Sequence, residues 1–383
     1  MKIINLLRDI RRRFSKYTHT IEVLISKNNI LGNLKEYQTK YSDFLFAPVL
    51  KSNAYGHGLA EVAKILDKQK LPFFVVDSLY EARLLKHHKI QTPILIIGYT
   101  MLKNIQNYNT KNFIFTVVSL EELKILKEKI NKNTRIHLKI DTGMHRQGIL
   151  ISEMEEAINL IKENRYLILE GVCSHLADAD NEDKSITLNQ ISKWEKVVEI
   201  FKDKFTYIKY FHLSATSGVS VMDKEFTNLV RLGIGLYGIN VTKDSKLNLK
   251  PALRMESIIS TIRNLEKGEA VGYNHTHTLG EKAKIATVPT GYFEGVDRRL
   301  SNSGVFKIKN EFAKIVGRVS MNMTSINISE ISNLKIGDKV VVISEKAEDE
   351  NGVANIAKKI NTIPYEILVH IPPTLHRKII SKF

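Results

Sequence analysis

The stretch that decides the fold is Val49-Leu50-Lys51-Ser52-Asn53-Ala54-Tyr55-Gly56-His57-Gly58. An apolar run enters it from Leu45, and a helical apolar pattern follows it from Leu59 to Leu66. A run and a pattern of this kind, joined by a glycine-bearing turn, predict a buried strand followed by a helix. Lys51 then lies where the strand ends. Loss of water at such a position lowers the pKa of a lysine amine and makes it a usable nucleophile.

Short apolar runs alternate with helical patterns, such as Ser78–His88 and Leu120–Ile130, from about Thr20 to Asn240. Continuous β-branched and aromatic runs are typical of parallel strands covered on both faces. Eight strands alternating with helices predict a (β/α)8 barrel, with a doubly wound open sheet as the structural alternative. No G-x-G-x-x-G follows the first strand, which disfavours dinucleotide binding. The runs are Leu45–Lys51, Phe73–Asp77, Ile94–Gly98, Phe113–Ser119, Ile136–Asp141, Leu169–Leu176, Tyr207–Ala215 and Leu229–Gly238.

The pattern changes after Asn240. Short β-rich segments such as Arg254–Arg263 and Lys339–Ser344 are separated by turn signals, with one helical pattern at Val353–Ile360. This arrangement predicts a mainly antiparallel β domain. We therefore expect a barrel domain at residues 18–243 and a C-terminal β domain at residues 244–383. Residues 1–17 form a basic N-terminal extension, for which packing on the β domain is one option.

Composition and charge narrow the function classes. The 383 residues carry a formal net charge of +16, but the lysines are spread along the chain and are not interleaved with aromatic residues. Nucleic-acid binding is therefore not expected, although anionic ligands should be attracted. No apolar run approaches the ~20 residues of a membrane span, and the N-terminus lacks a secretory signal. Cys173 is the only cysteine, which suits a reducing compartment. We expect a cytoplasmic protein with no membrane partner and no metal site.

Polar residues fall at the predicted C-terminal ends of several strands. These are Lys51, the turn from Asp141 to Gln147, His175, Thr216 and Arg231. Because the loops after barrel strands converge on one face, residues at these ends should meet in a single site.

The strings around these residues resemble those of the alanine racemase family. In that family, the lysine of the opening string forms a Schiff base with pyridoxal 5'-phosphate (PLP), and a tyrosine one helical turn later binds the phosphate. The matching residues are Lys51 and Tyr55. The resemblance extends from about Tyr17 to near the C-terminus. It implies a PLP-dependent racemase that interconverts L- and D-alanine and supplies D-alanine for peptidoglycan.

Three further strings match the family's cofactor contacts. The string from Lys139 to Arg146 places Arg146 at the phenolic oxygen, and its lysine is carbamylated in some members. The string ending in His175 places that ring against the pyridine. The string from His212 to Gly218 makes Thr216 a phosphate ligand, with Ala215 where the family commonly has asparagine.

The string Val230-Arg231-Leu232-Gly233-Ile234 implies that Arg231 faces the pyridine nitrogen and that Gly233 and Ile234 offer N–H groups to the phosphate. A carboxylate beside that nitrogen would hold a proton there and make the ring a strong electron sink. An arginine accepts no proton, so it disfavours the protonated ring. The resulting weaker sink suits reversible proton exchange better than decarboxylation or transamination.

The C-terminal domain carries the remaining matches. Tyr273 aligns with the family's second acid/base, which enters the site of the partner subunit and implies a homodimer. Tyr292 aligns with a tyrosine at the substrate entrance, and Met321 aligns with a residue whose N–H binds the substrate carboxylate together with Arg146. Asn322 stands where aspartate is common.

Several alternatives stay open on the sequence. An ungapped count puts a phosphate-contacting tyrosine of some members at Pro373, which predicts a roomier pocket and favours a racemase of serine or a larger amino acid. An amino-acid decarboxylase of the same architecture would be favoured by a carboxylate at Arg231. A non-enzymatic PLP carrier should end after the barrel, so the β domain with Tyr273 argues against it.

Overall fold

The computed structural model describes residues 17–108, 111–241 and 247–383, so the predicted extension up to residue 16 lies outside the described residues. The chain forms two compact units. The larger unit comprises Ile25–Leu253, Glu345–Pro373 and Ile379–Phe383. The smaller unit comprises the described residues up to Leu24, together with Arg254–Ser344 and Thr374–Lys378.

The larger unit contains a closed parallel barrel. Strands two to seven pair in chain order in one parallel sheet, and strand eight pairs in parallel with strand one. The bridges Val49–Val75 and Ala215–Arg231 join the two sheets, so all eight strands form a ring. The predicted barrel is thereby confirmed. The strands are Leu45–Pro48, Phe74–Val76, Ile94–Ile96, Phe113–Val117, Thr134–Asp141, Leu167–Cys173, Tyr210–His212 and Leu229–Leu232.

Helices follow most strands, and side-chain caps fix where they begin. Ser78 accepts a hydrogen bond from the N–H of Glu81, and Ser119 accepts one from the N–H of Glu122, so each caps the helix that it precedes. No helix in the described ranges is long and apolar enough to cross a bilayer. The helices of this unit are Lys27–Lys40, Leu59–Leu66, Leu79–His87, Leu102–Asn107, Leu120–Lys129, Met154–Lys162, Ser185–Lys204, Val353–Lys359 and Pro364–Val369.

The smaller unit is built mainly from antiparallel strands, as predicted. Ala283–Val288 pairs on one side with Thr261–Leu265 and on the other with Thr324–Asn327, both antiparallel. A six-stranded sheet has the order Glu311–Lys314, Val305–Ile308, Lys339–Ile343, Leu253–Ile258, Glu22–Ser26 and His376–Ile380. Residues 345–373 group with the barrel, although the predicted boundary assigned them to the β domain.

One layer of the barrel interior contains polar side chains. His137 on strand five and His212 on strand seven are fully buried, and Nδ1 of the first lies 2.8 Å from Nε2 of the second. Burial, together with the charges of Arg135 and Arg231, lowers the pKa of His137 to about 3. Burial and Arg231 also lower the pKa of His212 well below its usual value. Both rings are therefore neutral in the folded chain at neutral pH.

This pair makes the fold acid-sensitive. Between pH 6.5 and about 3, the unfolded chain binds a proton at His137 that the folded chain does not bind, so the free energy of unfolding falls as pH falls, and His212 acts in the same direction. Each such group steepens the dependence by up to about 1.4 kcal/mol per pH unit. His137→Asn keeps an acceptor for His212 but cannot titrate. We expect urea unfolding of this variant at several pH values to give a shallower dependence than the parent chain.

The matched control is His370→Asn, since His370 is exposed on the larger unit. It should leave the pH dependence unchanged. An equal slope for His137→Asn and the parent chain would show that His137 is not held neutral by the barrel interior.

Candidate active site

A cavity of about 870 Å³ opens at the C-terminal ends of the barrel strands. Its walls come from the loops after every strand except the fourth, and from the helix Pro364–Val369. All eight residues that the sequence assigned to the cofactor line this cavity: Lys51, Tyr55, Arg146, His175, Thr216, Arg231, Gly233 and Ile234. Their individual roles stay predictions.

The turn that carries Lys51 has an unusual backbone. The next four residues, Ser52 to Tyr55, all have φ between 51° and 55°, the left-handed region. Side chains with a Cβ disfavour this region by about 1–2 kcal/mol per residue. Local bonds hold the turn: Ala54 donates its N–H to the Leu50 carbonyl, and the Asn53 side chain caps Leu59. The turn directs both Lys51 and Tyr55 to the wall of the same cavity.

Tyr55, Thr216 and Gly233 form a small polar cradle. The Thr216 hydroxyl oxygen accepts N–H bonds from Gly233 at 3.1 Å and Gly235 at 3.4 Å. With those acceptor positions used, its O–H is left to donate. A Cβ added at Gly233 would lie 2.9 Å from the Tyr55 hydroxyl oxygen and 3.7 Å from that of Thr216. Any side chain at residue 233 would therefore fill the cradle.

The Tyr55 hydroxyl is suited to donate in this cradle. Burial, reinforced by Tyr365, raises the pKa of Tyr55, so the phenol keeps its proton. The ring lies against Tyr237, with 5.1 Å between centroids, and the Tyr237 hydroxyl donates to the Val49 carbonyl at 2.8 Å. Ile234 begins the 3-10 turn Ile234–Tyr237, so its N–H has no partner within that turn. The cradle thus presents hydroxyl and amide donors, as an anion site requires.

Arg231 is buried and bonded to neutral acceptors. Its Nη1 donates to Nδ1 of His212 at 2.6 Å and to the His212 carbonyl at 2.8 Å. Its Nη2 donates to the carbonyls of Ser174 and Leu213, at 2.8 and 2.9 Å, and to Nδ1 of His175 at 3.0 Å. Because arginine only donates, both Nδ1 atoms must be unprotonated. The guanidinium thus fixes the tautomer of each ring.

The tautomer of His212 also fixes the direction of its hydrogen bond to His137. With Nδ1 of His212 accepting, its proton is on Nε2, which donates to Nδ1 of His137. Burial and Arg231 lower the pKa of His175 to about 3, so this ring is neutral as well. Three neutral imidazoles therefore surround a single buried cation. The sequence singled out His175 and missed the other two, which lie deeper inside the barrel.

Lys139 and Arg146 occupy another wall. The Lys139 amine lies 3.4 Å from the Gln147 side-chain oxygen, and burial lowers its pKa. Arg146 follows in an exposed turn that Asp141 organises by accepting the N–H groups of residues 143 to 145. Cys173 is buried, which raises the pKa of its thiol and makes it inert.

The roomier pocket that Pro373 predicts stays a prediction. Pro373 lies on a groove that adjoins this cavity and shares Ser52 and Asp77 with its wall. Tyr365 lines the cavity, and its ring lies 5.8 Å from that of Tyr55. The sequence does not reveal this contact, because it depends on how the helix Pro364–Val369 packs.

The remaining predicted residues lie in the smaller unit. Tyr273, Tyr292 and Met321 are 68%, 43% and 55% exposed. Two adjacent loops pair there, since Tyr292 donates its N–H to the Ser320 carbonyl. The roles of these three residues in the site stay predictions.

A hydrogen bond within the smaller unit explains why residue 322 is an asparagine. Its side-chain amide donates to the buried carboxylate of Glu294 at 2.6 Å, and the other oxygen of Glu294 accepts the N–H of Gly291 at 2.8 Å. An aspartate at residue 322 could not donate and would repel Glu294. The asparagine therefore matches its local partner.

Comparison with known proteins covers both units. Residues 25–241 match the alanine racemase N-terminal domain, and residues 252–379 match the C-terminal domain. Alanine racemase 1 of Caldanaerobacter subterraneus subsp. tengcongensis is 33% identical over 329 residues, which cover 84% of this chain and 85% of the relative.

Solved structures agree with this assignment. The alanine racemase of Clostridium difficile 630 has a TM-score of 0.87 at 31% identity, covering 95% of this chain and 97% of that chain. The Bacillus anthracis alanine racemase, solved with bound L-Ala-P, has a TM-score of 0.87 at 27% identity, covering 96% of each chain. The chain therefore belongs to the alanine racemase family of isomerases.

Proposed function

We propose that this chain is a PLP-dependent racemase that interconverts L- and D-alanine in the cytoplasm and supplies D-alanine for peptidoglycan. The observation that carries the proposal is the cavity in which Lys51, a hydroxyl and amide cradle, and Arg231 share the barrel mouth. The relatives named alanine racemase support alanine as the substrate.

The residues present fit the cofactor. Lys51 would supply an amine for covalent attachment to its aldehyde, and the donors of Tyr55, Thr216 and Ile234 suit a phosphate, for which the missing side chain of Gly233 leaves room. His175 and Arg231 would flank its ring, and Arg146 would reach its phenolic oxygen. When bound, PLP supplies an electron sink that acidifies the proton at Cα of the substrate.

Arg231 sets the strength of that sink. Its guanidinium has no acceptor site, and the hydrogen atoms of Nη1 and Nη2 are already bonded to carbonyls and imidazoles. It therefore disfavours a proton on the pyridine nitrogen. An unprotonated ring nitrogen limits side reactions that need a strong electron sink, such as decarboxylation. It suits the reversible removal and return of a single proton.

Two side chains would exchange that proton. The Lys51 amine would act as base or acid on one face of Cα. Tyr273 of a partner subunit in a homodimer acts on the opposite face, so removal on one side and return on the other inverts the stereocentre. Met321 and Arg146 would bind the substrate carboxylate, and Tyr292 would line the entrance.

Two alternatives are left for the tests. A racemase of serine or a larger amino acid is favoured by Pro373, whereas the relatives named alanine racemase favour alanine. A decarboxylase would be favoured by a carboxylate where Arg231 stands.

The first test concerns cofactor attachment. The purified chain with PLP should absorb near the visible edge, and borohydride should fix the cofactor on Lys51, because this amine stands at the cavity wall. Lys51→Ala should lose the reducible adduct, and peptide mapping measures this. Lys64→Ala, an exposed lysine on the next helix, is the control and should keep it. Fixation on another lysine would refute the assignment.

The second test concerns the reaction. In heavy water, alanine should gain deuterium at Cα and racemise, because Arg231 keeps the sink weak. Chiral chromatography and mass spectrometry of the product measure both changes. Little pyruvate or carbon dioxide should form. Carbon dioxide as the main product would favour the decarboxylase.

The third test concerns the shared site. Lys51→Ala and Tyr273→Phe should each be nearly inactive, because each removes one of the two acid/base groups. Co-expressed chains should recover activity if each site takes its lysine from one subunit and its tyrosine from the other. Random assortment makes about half of the dimers mixed, which leaves roughly a quarter of all sites intact and about half of the sites in the mixed dimers themselves. Racemisation by the mixed dimer, purified with two different tags, measures the recovery.

Each inactive chain expressed alone with both tags is the control. If the verified mixed dimer stays inactive, the two residues serve the same subunit's site, or Tyr273 is not the second base.

A further inference from the structure

The left-handed turn that follows Lys51 is tied to a neighbouring βα loop by one carboxylate. Oε1 of Glu81 accepts the N–H of Ser52 at 2.7 Å. Ser52 directly follows Lys51, and it is the first of the four left-handed residues. The bond therefore acts where the backbone leaves its ordinary conformation, one residue from the reactive amine.

The other oxygen of Glu81 faces its own loop. Oε2 accepts the N–H of Asp77 at 2.9 Å and that of Ser78 at 3.3 Å, while Ser78 caps the N–H of Glu81. This capping box fixes the carboxylate to the end of strand two and the start of the helix Leu79–His87. One oxygen thus anchors the carboxylate, and the other holds the turn that bears Lys51.

We propose that Glu81 is a positioning residue that holds the Lys51 turn in its left-handed form, so that Lys51 and Tyr55 face the same cavity. The proposal rests on the proposed function, in which Lys51 holds PLP and Tyr55 binds its phosphate. Glu81 itself lies outside the set of residues that line that cavity. It acts through Ser52.

The chain contains a matched capping residue without this bridge. Glu122 has the same place in the helix Leu120–Lys129: its N–H bonds to the Ser119 hydroxyl, and its Oε2 accepts the N–H of Val118 at 2.8 Å. Glu122 therefore caps a helix after a barrel strand, as Glu81 does, but these bonds stay within its own loop. Comparing Glu81→Gln with Glu122→Gln separates helix capping from support of the Lys51 turn.

The experiment measures cofactor uptake by the full chain stripped of PLP. A glutamine keeps only one acceptor oxygen, so Glu81→Gln must give up either the anchor or the Ser52 bond. We expect its PLP affinity and the rate at which borohydride-fixable adduct forms at Lys51 to fall by about tenfold, the loss typical of a bond to a charged group. Glu122→Gln should match the parent chain in both. Circular dichroism of each variant confirms that the fold is retained.

A second variant tests the backbone mechanism. Glycine adopts left-handed dihedrals without the Cβ penalty, so Ser52→Gly should reduce the need for the clamp. We expect the loss caused by Glu81→Gln to be smaller in the Ser52→Gly background than in the parent chain. A role confined to helix capping would leave the loss the same in both backgrounds.

The outcomes separate this inference from the function on which it rests. If the parent chain takes up PLP at Lys51 but Glu81→Gln and Glu122→Gln behave alike, the positioning role is refuted and the cofactor assignment stands. If the parent chain takes up no PLP, the proposed function fails and this inference fails with it. A defect specific to Glu81→Gln that Ser52→Gly relieves supports the inference.

Discussion

The buried charge of Arg231 is the constraint on which the barrel mouth depends. A guanidinium removed from water must have its N–H groups bonded, or its burial is very costly. Its bonds reach carbonyls of Ser174, His212 and Leu213, which stand at or just beyond the ends of strands six and seven, while Arg231 itself lies on strand eight. One side chain therefore fixes three consecutive strand ends relative to one another.

The same charge determines the chemistry around it. Each imidazole that meets the guanidinium must offer an unprotonated nitrogen, and the positive charge further opposes protonation of rings that are already desolvated. The result is a rigid set of neutral donors and acceptors with a single cation at its centre. Under the proposed function, that cation would face the pyridine ring, and its inability to accept a proton would limit the reaction to exchange at Cα.

The turn after the first strand is stabilised in a different way. Strand eight ends in a hydrogen-bonded cluster, whereas strand one leads into four left-handed residues that are intrinsically unfavourable. Such a turn persists only where the surroundings over-determine it. The Leu50 carbonyl and the Glu81 carboxylate accept N–H groups of the turn, its Asn53 side chain accepts the N–H of Leu59, and its Tyr55 ring packs against Tyr237. The left-handed form places a lysine and a tyrosine, four residues apart, at one cavity.

The sequence by itself determined the architecture and most of the cavity wall. Eight continuous apolar runs indicated parallel strands covered on both faces, and the residues at their ends met because the loops of a barrel converge on one side. Only the tertiary structure decided the rest. Tyr365 reaches Tyr55 from a distant helix, His137 and His212 pair across two strands, and Asn322 is matched to Glu294. The sequence also does not reveal the left-handed turn, because four consecutive residues without a glycine rarely adopt that conformation. Local periodicity determines which face of an element is buried, but contacts between distant segments, and strain that those contacts support, exist only once the chain has packed.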